Sequence, residues 1–163
     1  MADLAVQFPA AQIFGLEPEP ASARLARQNT LPWAARCCVI EAAAWPTDGQ
    51  VGYLSTTSRF ASVKVNTSGR ASGTHSITQA ISLNTLIERS GDFDRVDFVK
   101  MDIEGAERRL LTECTEWAHR VHCIKVEVHP PYTPEDCIMD LRALGFLPKR
   151  DRWHSMAVIG LRH

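Results

Sequence analysis

The sequence predicts an α/β fold built on a mostly parallel sheet with helices on both faces. Two observations predict it. Apolar runs of strand length alternate with stretches of helical length through most of the chain, and strands that alternate with helices build parallel sheets. The last two apolar runs have no helix between them, which suits a closing antiparallel pair. All 163 residues, 1–163, fit one domain around one core.

The elements follow in order. Residues 2–8 read as the tail of a helix. The run 10–16 is apolar and stops at Glu17-Pro18, as a buried strand does. Glu19-Pro20 opens a helix that Asn29 and Pro32 close; proline fits a first turn, and an early carboxylate suits the helix dipole. Residues 36–45 contain a second strand, which Pro46-Thr47-Asp48-Gly49 turns towards 50–54 as a hairpin. Residues 55–79 are rich in Ser, Thr and Gly. A long polar segment of this kind is a functional loop or a mobile one, and a substrate lid is the favoured reading.

Residues 77–83 suit a further strand, and Leu83, Leu86 and Ile87 then mark a helix that stops at Ser90-Gly91. The run 96–103 is the clearest buried strand. A helix over 104–115 turns Leu110, Leu111 and Cys114 inward. Residues 121–128 form the next strand. Thr133 caps a helix with Pro134 first and Glu135 and Asp136 behind it. Cys137, Ile138, Leu141 and Leu144 form its inner face, and Gly145 ends it. Residues 146–149 and 155–161 make the closing antiparallel pair.

Charge and composition exclude several classes of function. The net charge is -1, from 18 basic and 19 acidic side chains, and no basic run exists to hold a phosphate backbone. Nucleic acid is therefore not an expected partner. No apolar stretch reaches the roughly 20 residues of a membrane helix, and the N-terminus lacks the basic flank and apolar core of a signal peptide. Five cysteines, Cys37, Cys38, Cys114, Cys123 and Cys137, show no C-x-x-C spacing. They read as buried, reduced thiols of a cytoplasmic protein.

In parallel sheets ligands bind at the carboxyl ends of the strands, and here those ends carry acids. Glu17 either accepts hydrogen bonds from the ribose of a nucleoside cofactor or only serves the dipole of the following helix. Asp102 can take a proton or hold a cationic group, since an acid at the end of a buried strand needs a partner. Glu104 and Glu107 are either functional or first-turn helix acids. His129 suits a general base or a histidine bonded to a nearby carbonyl, and alternation places it on one face with Glu127. His75, His119, His122, His154 and His163 have no comparable setting. Asp102, Glu127 and His129 are a chemically possible ligand set, but no close-spaced histidine pair supports it, and no metal site is expected. A nicotinamide enzyme is disfavoured because G-x-G-x-x-G is absent.

The segment Lys100-Met101-Asp102-Ile103-Glu104-Gly105-Ala106-Glu107 resembles the signature of FkbM-type methyltransferases, an apolar strand followed by Lys-x-Asp-x-Glu-Gly-Ala-Glu. Phe14-Gly15-Leu16-Glu17-Pro18, Ala44-Trp45, Asp48-Gly49, Ser82-Leu83-Asn84-Thr85-Leu86 and Glu127-Val128-His129 resemble further pieces of that family in order and spacing, over roughly residues 9–148. The resemblance implies a Rossmann-like class I methyltransferase sheet, mostly parallel with an antiparallel strand near the C-terminus. It implies S-adenosyl-L-methionine as donor and an oxygen of a small molecule or sugar as acceptor. Glu17 would bind the cofactor ribose. Asp102 would lie near the methionine part and the reacting centre, with Asp102, His129 or Glu104 taking the acceptor's proton.

That family opens on a strand ending in an acidic, glycine-rich loop, D-x-G-x-x-x-G in outline, which cradles the cofactor. Nothing like it precedes Glu17, and the first glycine is Gly15. The expectation is a sheet without its first strand, which in this fold lies between the second and the fourth. Each buried backbone group left unpaired costs on the order of 1–3 kcal/mol, and a few such losses rival a total stability of about 5–15 kcal/mol. A misplaced start, a fragment or a degraded copy would leave this pattern, and a degraded copy would be an inactive remnant or interaction module.

Overall fold

A computed structural model describes residues 1–54, 64–65, 75–91 and 94–162. In chain order these form α1 (Ala2–Gln7), β1 (Ile13–Leu16), α2 (Pro20–Thr30), β2 (Cys37–Ile40), β3 (Ala43–Ala44), β4 (Gly49–Leu54), β5 (Lys64–Val65) and β6 (His75–Ile81). Then come α3 (Leu83–Arg89), β7 (Val96–Met101), α4 (Glu107–Thr112), β8 (Val121–Glu127), α5 (Pro134–Ala143), β9 (Leu147–Arg150) and β10 (Ala157–Leu161). Among the described residues, no helix is long and apolar enough to cross a membrane.

The described strands form three sheets, ordered β1-β2, β3-β6-β4-β5 and β7-β8-β10-β9. The chain is α/β as expected, but the sheet is not single, and its parallel character is confined to β1 with β2, β3 with β6 and β7 with β8. The other pairings are antiparallel. Cross-strand order cannot be read from runs that look alike in sequence.

The hairpin expected over residues 36–54 is one correction. That segment holds two strands in different sheets, β2 and β3, and β6 lies between β3 and β4, with Ala80 opposite both Ala43 and Gly49. Asp48 locks this arrangement. Its carboxylate accepts Ser82 N–H at 2.7 Å and Thr85 Oγ1–H at 2.7 Å, which ties the turn before β4 to the cap of α3. The expected polar loop ends earlier than read, because residues 75–79 belong to β6; the rest of the lid expectation lies outside the described residues apart from β5.

The first strands sit with α1 and α2 over a small core of Ala5, Ile13 and Cys37, joined by Met1, Leu4 and Trp33. Glu19 caps α2 by accepting Ser22 N–H. The Arg36 guanidinium donates to the carbonyls of Ala5, Phe8 and Ala11, which ties the end of α1 and the segment after it to the start of β2.

The main core lies around β8 and β10, with Trp117, Leu110, Leu111, Ile124, Leu141 and Phe146 fully buried. Thr133 and Asp136 form a reciprocal capping box at α5. Gly145 ends the segment at φ 83°, a left-handed position that suits glycine. Arg162 then packs over the Phe146 ring at 4.5 Å and donates to the carbonyls of Ala118, Val121 and Leu144. β9 and β10 pair antiparallel, as expected.

Three local expectations change. β7 pairs only with β8 among the described strands, and Phe98 on it is 41% exposed, so this strand is an edge rather than a buried centre. The helix expected from residue 104 begins at Glu107, because Glu104 at φ 55° and Gly105 at φ 107° form a left-handed turn that no helix accommodates. Cys114, also at positive φ, faces outward. Of the cysteines only Cys37 and Cys137 are buried, and all five are free thiols.

Candidate active site

β7 and β8 run parallel in a register that sets Met101 beside Val126. The residues just past both strands therefore leave the sheet at the same edge. β7 delivers Asp102 directly. The chain then reverses through the left-handed pair Glu104 and Gly105, a conformation that costs a non-glycine residue about 1–2 kcal/mol. The reversal presents Glu104 and drops Glu107 into the first position of α4. His129 arrives from the other side, two residues beyond β8.

Glu107 is completely buried. Its Oε1 accepts Gly105 N–H at 3.1 Å and lies 2.7 Å from His129 Nδ1, so Nδ1–H donates to it. This fixes the ring and leaves Nε2 pointing to the acids, 3.5 Å from Glu104 Oε2 and 3.9 Å from Asp102 Oδ1. The other oxygen of Asp102, Oδ2, accepts from Lys100 Nζ at 2.8 Å. Partial burial works against charging His129, but the Glu107 hydrogen bond and the charges of Glu107, Glu104 and Asp102 outweigh it and hold the ring above its ordinary value.

The structure thus brings together Asp102, Glu104 and His129, the residues marked as catalytic from sequence. Their ligand-type atoms all lie within 4.8 Å of one another, close enough to share a metal ion or to surround one substrate group. Glu107, left open in the sequence between a functional acid and a first-turn helix acid, is the support of the ring. Its signal was the last glutamate of the motif at 100–107, set where a fully buried carboxylate must find a donor. Glu127 stands outside this group: its Oε1 lies 3.5 Å from His154 Nε2.

Glu17 follows β1, in a different sheet, and makes no hydrogen bond or ion pair with the cluster among the described residues. Its Oε1 accepts Glu19 N–H at 2.9 Å, so it does serve the entry to α2. Burial pushes its carboxyl up, against the pull of that hydrogen bond. A cleft of about 560 Å³ beside α1 and α2, lined by Met1, Asp3, Ala26, Asn29 and Trp33 among others, touches neither Glu17 nor the cluster.

No curated protein and no solved structure matches the chain. The motif that builds the cluster, from Lys100 to Glu107, falls within the part of the chain that a family model does match. That model is the methyltransferase FkbM domain, it covers residues 4–152, and the chain belongs to this family.

Proposed function

We propose that the protein transfers a methyl group from S-adenosylmethionine to a hydroxyl oxygen of a small molecule or sugar. The convergence of Asp102, Glu104 and His129 past the ends of β7 and β8, in a chain of this family, carries the reading. That edge is where ligands meet parallel strands.

One residue suits the ribose of the donor. Glu17 is a half-buried carboxyl whose pKa is raised by desolvation, so its charged form is short of hydrogen-bond donors. The two hydroxyls of a ribose supply such donors. S-adenosylmethionine contributes a methyl carbon already bonded to positive sulfur. The side chains of this protein have two remaining tasks. They align the acceptor, and alignment is worth up to about 7–11 kcal/mol. They also receive the hydroxyl's proton, at His129 Nε2 or at a carboxylate oxygen of Asp102 or Glu104, a contribution on the order of 10²–10⁴ in rate.

Calorimetric titration of the full chain with S-adenosylmethionine tests the reading. Binding at micromolar strength is expected, about -8 kcal/mol, with at least a tenfold loss in Glu17→Ala. Asp102→Asn is expected to bind the donor and lose nearly all methyl transfer. A folded wild-type protein that takes up no donor would overturn the proposal. A second reading, an interaction module of the same family without catalysis, is favoured by one observation: β1 and β7 belong to separate sheets among the described strands. The same titration decides between the two.

A further inference from the structure

We propose that Asp102, Glu104 and His129 form a binding site for one divalent transition-metal cation. As an account of the reacting centre this rests on the methyltransferase reading, but cation binding is measured without it.

The donor set is two carboxylates and one imidazole, with ligand atoms no more than 4.8 Å apart. Bonds of about 2.0–2.2 Å to a metal put its ligand atoms roughly 3–4 Å apart. The separations of His129 Nε2 from Glu104 Oε2, 3.5 Å, and from Asp102 Oδ1, 3.9 Å, already lie in that range. No hydrogen-bonding rearrangement is needed, because Lys100 engages only Oδ2 of Asp102.

The second observation lies behind the ring. Glu107 is fully buried, grips His129 Nδ1, and has its Oε2 without any partner among the described residues. A carboxylate holding the far nitrogen of an imidazole is the usual support of a metal-bound histidine, since it fixes the tautomer and makes Nε2 more basic. A buried carboxylate with one oxygen unsatisfied also demands positive charge close by. Among the described residues Lys100 is the permanent cation that pairs with Asp102, at 2.8 Å. A divalent ion on Nε2 balances Asp102, Glu104 and Glu107 once Lys100 is counted.

Mixed oxygen and nitrogen ligands favour Mn²⁺, Fe²⁺, Co²⁺ or Zn²⁺ over Mg²⁺ or Ca²⁺, which take oxygen almost alone. Three protein ligands leave positions open, and an open position on a metal polarises a bound hydroxyl.

The test is titration of the full chain with Mn²⁺ alone, followed by electron paramagnetic resonance and calorimetry, with no methyl donor present. One ion per chain is expected. Glu104→Gln and His129→Ala are expected to weaken it at least tenfold, and Glu107→Gln by about 10–100-fold. Glu107 acts through His129, so Co²⁺ supplies a readout that folding alone does not move: its visible absorption should shift in Glu107→Gln while circular dichroism stays that of the wild type. Glu104 is partly exposed, which keeps Glu104→Gln a fair test should a buried variant misfold. Failure of the wild type to bind Mn²⁺ at millimolar concentration, or equal binding by Glu104→Gln and His129→Ala, would overturn the site. S-adenosylmethionine titrations of the same samples separate the two proposals: donor binding without Mn²⁺ binding removes only the metal, and the reverse removes only the donor.

Discussion

Asp151 is an acid held by three donors. Its Oδ2 meets Lys125 Nζ at 2.7 Å, and its Oδ1 accepts the N–H groups of Trp153 and His154. The Lys125 contact, followed by the Trp153 N–H, keeps the carboxyl below its ordinary value of 3.8. A lowered folded pKa means that this acid adds stability above 3.8 and loses it as pH falls through the folded value. Urea unfolding of the wild type and Asp151→Asn should therefore differ at neutral pH and converge in strong acid. A gap that is constant with pH would show that the charge is irrelevant.

Trp117 makes the opposite case at the same scale. It is buried, and its Nε1 lacks a hydrogen-bond partner among the described residues. Trp117→Phe removes an unsatisfied donor along with some packing, and should cost less than about 1–2 kcal/mol. Trp117→Ala removes the same donor together with nearly all of the packing and should cost about 3–5 kcal/mol. Chemical denaturation of both variants checks the ordering.

At the scale of elements, α5 shows why some pieces are legible in sequence and others are not. Thr133, Pro134, Asp136 and Gly145 each act within a few residues of themselves, so reading the sequence locally finds the helix and both its ends. Thr133→Ala breaks the capping box and should lower stability by about 1 kcal/mol in a thermal or denaturant melt. The contact of Glu107 with His129 spans 22 residues. Nothing local to Glu107 separates a helix-dipole acid from a ring support. The place of β6 between β3 and β4 is hidden for the same reason: two candidate strands beside a turn read as a hairpin until a third, more than twenty residues later, takes the position between them. The left-handed turn at Glu104 and Gly105 was hidden too, because a glutamate at φ 55° has no local signal and the acids beside it read as a helix start.

For the whole molecule, the separation of cores matters most. Ala5, Ile13 and Cys37 form one buried cluster, and the large cluster around Ile124 and Leu141 is another. Burial is what resists local opening. Amides of β1 and β2 should exchange with deuterium faster than those of β8 and β10, and Ile124→Ala should cost about 2–5 kcal/mol. Equal protection of both regions would mean that they open together. The fold class and the identity of three cluster residues were readable because each sits at the end of a strand with a strong apolar pattern. The division into three sheets was not, because strand partners are set by long-range packing.

The Asp48 latch has a consequence for how the chain is made. Its acceptors reach forward to Ser82 and Thr85, and the strand it encloses ends at Ile81. A nascent chain that has emerged only as far as β4 holds the two strands that flank β6, with the slat between them still inside the ribosome. Until β6 has emerged, the edges of β3 and β4 that it covers stand bare, and any extended peptide in the neighbourhood competes for the slot.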